Sequence, residues 1–110
     1  MNKMKTLTGV LAAGILSAGA HADTVKIAYP NWAEGIAMTN LVAAILDDEM
    51  GYDVELTQAD PGVIYAAVAN GDQDVFLDAW LPNTHADYWD QYGDRLENLG
   101  TTFGYGVTGL

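Results

Sequence analysis

The stretch DVFLDAWLPNTH, residues 74–85, decides how the chain is read. Three consecutive apolar residues (Val75, Phe76 and Leu77) run into Trp80 and then Pro82. A strand with one wet face alternates apolar and polar residues, whereas a parallel strand covered on both faces reads as an unbroken apolar run. Segment 74–79 is therefore expected to be a buried parallel strand, and its neighbours should supply the rest of the sheet and its covering layers.

Upstream, TVKIAY (24–29) alternates, with Val25, Ile27 and Tyr29 on one side, as a strand does. EGIAMTNLVAAILDDEM (34–50) places Met38, Leu41, Val42, Ile45 and Leu46 at helical spacing, one apolar stripe ending before Gly51. YDVELT (52–57) alternates again. Asp60-Pro61 reads as an N-cap followed by the first helical residue, opening a helix that Gly71 closes. Downstream, a short helix is expected over Thr84–Tyr92. TTFGYGVTGL (101–110) mixes strand formers with glycines and reads as a weak strand. The order β-α-β-α-β-α with short links predicts an α/β unit, with a parallel sheet and helices on both faces.

Residues 1–22 are read separately. Lys3 and Lys5 precede a short, small and apolar run, and Ala20-His21-Ala22 has the small-x-small form of a signal-peptidase site. Cleavage is expected after Ala22, leaving residues 23–110 as one domain. The chain has no cysteine, so neither a lipid-modified cysteine nor a disulfide framework is expected. All 15 Asp and Glu lie after residue 22, opposed there only by Lys26 and Arg95. Nucleic-acid binding rests on cations meeting phosphate, so this balance argues against nucleic acid as a partner.

Ligands of open parallel sheets bind beyond the carboxyl ends of the strands. Trp32 follows the first expected strand, Asp60 the second, and Trp80 the third, with His85 just beyond. A tryptophan there either caps the core or walls a site. Two such rings attract a cation at about 0.5–2 kcal/mol each, and they also stack on sugars. A quaternary ammonium has no N–H to donate, so an aromatic box suits it, and His85 is placed to donate to a carboxylate on the same ligand. Trp89, spaced i, i+3 from Tyr92, reads as packing. Asp72-Gln73-Asp74 begins like a calcium loop, but Phe76 and Leu77 break the pattern. No zinc-protease, Walker or nucleophile-elbow motif is present, and no carboxylate pair is singled out for glycoside hydrolysis. No catalytic residue, metal site or cofactor is expected.

Residues 29–100 resemble the glycine betaine-binding proteins of ABC-type osmoprotectant importers. The resemblance is carried by Trp32-Ala-Glu-Gly with Thr39-Asn40, by Gly51-Tyr52 and Gly71-Asp72, and above all by Ala79-Trp80-Leu81-Pro82-Asn83-Thr84-His85. It implies one lobe of a type II periplasmic binding fold, incomplete relative to a two-lobe family whose second lobe adds a third tryptophan. It further implies that Trp32 and Trp80 wall an aromatic box around a trimethylammonium group and that His85 helps to hold the ligand carboxylate. The implied setting is a periplasmic, non-catalytic monomer that delivers a betaine to a membrane permease. Choline is the nearest rival ligand. A secreted carbohydrate-binding or glycosidase fragment is the rival of another class.

Overall fold

The computed structural model describes residues 23–104 and 106. The expected export signal, Tyr105 and residues 107–110 lie outside the described residues.

Strand β1 (Thr24–Tyr29) pairs in parallel with β2 (Asp53–Gln58), in a register that runs from Thr24 opposite Asp53 to Tyr29 opposite Gln58. Ile27 and Ala28 are consecutive, so they point to opposite faces of the pleat. Both are essentially inaccessible to solvent, so each face of β1 is covered. β1 is the centre of the unit.

The expected third strand is corrected by the structure. Segment 74–79 reaches the free side of β1 but makes a single parallel bridge, Ile27 with Val75. The Val75 N–H donates to the Lys26 carbonyl at 3.2 Å, and the Ala28 N–H donates to the Val75 carbonyl at 3.1 Å. In this register the next rung would set Tyr29 opposite Leu77 and would need an N–H at residue 30. That residue is Pro30, which has none. The ladder stops there, and residues 78–85 turn away as loop.

Helix α1 (Ala33–Ala44) continues into a wider π-type turn over Ile45–Glu49, closed by the Met50 N–H on the Ile45 carbonyl. The helical expectation holds, but the buried line on α1 is Gly35 and Thr39. Of the apolar stripe, Leu41 and Ile45 face solvent while Met38, Val42 and Leu46 are half-buried. Periodicity identified a helix, but the two-stranded sheet is too narrow to cover the whole stripe.

Helix α2 (Pro61–Asn70) begins where expected, with Asp60 extended at the cap position and Pro61 in the first turn, although the Asp60 side chain makes no capping hydrogen bond. It ends at Gly71 in the left-handed region, φ 82°. There the Asp72 N–H reaches back to the Ala67 carbonyl and the Gly71 N–H to the Val68 carbonyl, a Schellman closure. Ile64 and Tyr65 of α2 are buried. Helix α3 (Ala86–Tyr92) starts two residues later than expected and packs on α2. The approach is close: a side chain at Gly62 would meet the Tyr88 ring at 3.0 Å. A short 3-10 turn, Gly93–Arg95, follows, and Arg95 donates to the Asn70 side chain at 3.0 Å. No strand occurs among the described residues of 101–110.

Candidate functional site

The loop after β1 and the loop after Val75 leave the same end of the sheet. Trp32 sits at the N-cap of α1, in extended conformation. Trp80 lies on the second loop. Both line one cleft of about 1130 Å³, together with Glu34, Tyr65, Phe76 and Asp78, and the segment Leu96–Phe103 forms its far side. The two tryptophans singled out by their position at strand ends therefore share one cavity. Trp89, read as packing, lies over Gly93, where an added Cβ would meet the indole at 2.8 Å, and it also borders the cleft.

His85 stands behind this wall. It is 4% exposed and is not itself part of the cleft lining. The Trp80 backbone N–H donates to His85 Nδ1 at 2.9 Å, and the Tyr65 hydroxyl lies 3.3 Å from the same nitrogen. A backbone amide only donates, so Nδ1 is the acceptor and the neutral ring carries its proton on Nε2; the tautomer is assigned from this geometry. Rings surround the imidazole on several sides. Tyr65 meets it edge-on at 5.5 Å and Trp32 tilted at 6.4 Å, while Phe76 lies 6.2 Å and Tyr88 5.8 Å away. Burial among them holds the His85 pKa below its ordinary value, against a weaker upward pull from the Asp78 charge. At neutral pH the residue is an uncharged Nε2–H donor.

Sequence reasoning missed three residues. Tyr65 is the hub of the aromatic cluster, stacked on Tyr88 at 5.3 Å and edge-on to Phe76 at 5.4 Å. Burial, the Asp78 charge and Tyr88 push its hydroxyl up to about 12. Asp78 is 5% exposed and accepts a hydrogen bond from the Trp32 indole N–H. Glu34 faces Asp78, and its carboxyl is raised by burial, by the Asp78 charge and by a hydrogen bond with Asp78. A signal for Asp78 was present. In extended backbone it shares a side with Phe76 and Trp80 at i, i+2, i+4 spacing.

The arrangement is an aromatic wall backed by a neutral donor and a buried anion. The family model for the substrate binding domain of ABC-type glycine betaine transport systems, OpuAC, matches residues 23–108. The chain belongs to this family. It is 36% identical over 78 residues to the glycine betaine/carnitine transport binding protein GbuC of Listeria monocytogenes, covering 71% of this chain and 26% of that protein. Among solved structures it is similar to lactococcal OpuAC in its closed, glycine betaine-bound form. There the TM-score is 0.67 at 38% identity, over 71% of this chain and 30% of the other. It is also similar to the glycine/betaine/L-proline-binding protein ProX of Borrelia burgdorferi, with a TM-score of 0.63 at 28% identity, over 66% of this chain and 27% of the other. The chain spans less than a third of the length of each of these three relatives. The α/β class read from its alternating segments agrees with these binding-protein neighbours.

Proposed function

We propose that the chain carries one side of a binding site for glycine betaine or a related quaternary-ammonium solute, serving an ABC importer without performing catalysis. The observation that carries this reading is the meeting of Trp32 and Trp80 in one cleft, with His85 fixed behind Trp80. Two indole faces present electron density to a trimethylammonium group, while His85, buried outside the cleft lining, serves by holding the Trp80 backbone rather than by reaching the ligand carboxylate as expected. Residues 1–22 direct export to the periplasm in this proposal, a membrane permease receives the ligand, and the chain acts as a monomer. Among the described residues no helix is long and apolar enough to cross a membrane.

Two walls supply about 1–3 kcal/mol of cation–π attraction. A millimolar Kd requires about 4 kcal/mol. The affinity of this chain by itself is therefore expected in the millimolar range or weaker. The test is a two-dimensional NMR titration with glycine betaine, choline and glucose, following the three indole N–H signals. Saturable shifts of Trp32 and Trp80 with betaine support the reading. Flat signals up to about 50 mM, far above a millimolar Kd, count against it, and shifts with glucose alone replace betaine by a sugar. His85→Ala removes the acceptor that holds the Trp80 backbone and should weaken betaine and choline alike.

A further inference from the structure

Trp32 is held from behind by a residue far along the chain. Its indole N–H donates to the Asp78 carboxylate. Asp78 is almost wholly buried, and a buried carboxylate persists only where donors compensate its lost hydration. Glu34, in the first turn of α1, faces Asp78, and burial and the Asp78 charge raise its carboxyl. The contact also needs empty space. A Cβ at Gly35 would stand 2.7 Å from Asp78 Oδ2 and 3.1 Å from Trp32 Nε1. The absence of a side chain at Gly35 is what lets carboxylate and indole meet.

We propose that Asp78 is the positioning residue of the cage, its carboxylate fixing the Trp32 ring and making that ring's face more attractive to a positively charged nitrogen. This rests on the betaine reading above. A hydrogen bond to an ionised acceptor is shorter and about twice as strong as a neutral one. In a low-dielectric setting it also polarises the donor. An indole that donates to an anion gains electron density over its ring, and cation–π attraction depends on that density. The same negative charge draws an ammonium through space. Asp78 thereby contributes to selectivity for a cationic head group over an uncharged group of the same shape.

The experiment compares two ligands on the full chain: glycine betaine and 3,3-dimethylbutanoate, its carbon isostere with the same carboxylate and no positive nitrogen. Asp78→Asn keeps an oxygen for the indole and removes the charge. It is expected to weaken betaine roughly 3- to 10-fold, the range of one cation–π contact, and to leave the isostere within about 2-fold. Asp78→Ala should weaken both. In the ligand-free protein, the Trp32 indole N–H signal should move upfield in both variants. Gly35→Ala, which displaces the contact while leaving Asp78 in place, should move the same signal and weaken betaine. Equal losses of the two ligands in Asp78→Asn would overturn the charge role. An unmoved Trp32 signal, or unchanged betaine binding in Asp78→Ala, would overturn the proposal altogether. If the wild-type chain binds neither ligand, the betaine reading falls and takes the cage role with it. The Trp32 signal in ligand-free Asp78→Asn then decides the anchor by itself.

Discussion

Around His85, rings from four parts of the chain close on one another. Trp32 comes from the loop after β1, Tyr65 from α2, Phe76 from the bridge segment and Tyr88 from α3, and both Tyr65 and His85 are nearly sealed from water. Along α1 and β2 the situation is reversed. Leu41 is 59% exposed and Met50 58%, and Ile36, Ile45 and Leu56 are also on the surface. Both regions are built from apolar residues at regular spacing, but only the first finds partners within the described residues. The aromatic cluster around His85 is therefore held by contacts inside residues 29–92.

The strongest way to break this contrast is at its hub. Tyr65→Ala removes a ring that touches His85, Phe76 and Tyr88, and is expected to cost about 3–5 kcal/mol, the range for deleting a buried aromatic side chain. Urea denaturation followed by circular dichroism would read this as a large fall in midpoint, and a loss under about 1 kcal/mol would mean that the cluster is not the core. A smaller effect is expected from pH. Burial lowers the His85 pKa, so the unfolded chain binds that proton more readily than the folded one. The stability contributed by neutral His85 is full above the ordinary value of 6.5 and is lost as pH falls below it. Tyr65, Tyr88 and Asp78 face the ring, and only the Asp78 charge opposes the shift through its upward pull. Glu34 acts in the opposite sense: its raised pKa contributes stability below its ordinary 4.5 that is lost as pH rises through the folded value. Denaturation midpoints between pH 5 and 8, compared with those of His85→Gln, isolate the histidine; identical slopes would refute its part. The smallest effect belongs to the other region. Leu41→Ser on α1 should change stability by no more than about 0.5 kcal/mol, as for other exposed positions. A loss comparable to Tyr65→Ala would show that the α1 face is buried after all.

Much of this was legible in local sequence, and the failures share a cause. The start of α2 at Asp60-Pro61 and its end at Gly71 are read from residues that act on their own backbone, and they came out as expected. The strand at 74–79 was misread because what shortens it is not in it. Pro30 withholds a donor from across the ladder, and no pattern in DVFLDA reports that. The apolar stripe of α1 identified a helix, yet which side would be covered depends on the width of the sheet below. For the site, Trp32 and Trp80 were marked by where strands end. The burial of His85 depends on rings from distant elements, and a buried Asp78 looks in sequence like any of the 15 acids.

One side of β2 has no partner strand among the described residues. An unpaired strand edge offers a row of amides and carbonyls that any extended backbone can recognise, including that of another copy. On this strand Asp53 and Glu55 stand exposed, on a chain whose formal charge is −11 at neutral pH. Mutual repulsion between copies is thus a safeguard against stacking edge to edge, and it is a conditional one. Salt concentrated enough to screen the charges weakens that safeguard while the backbone row remains.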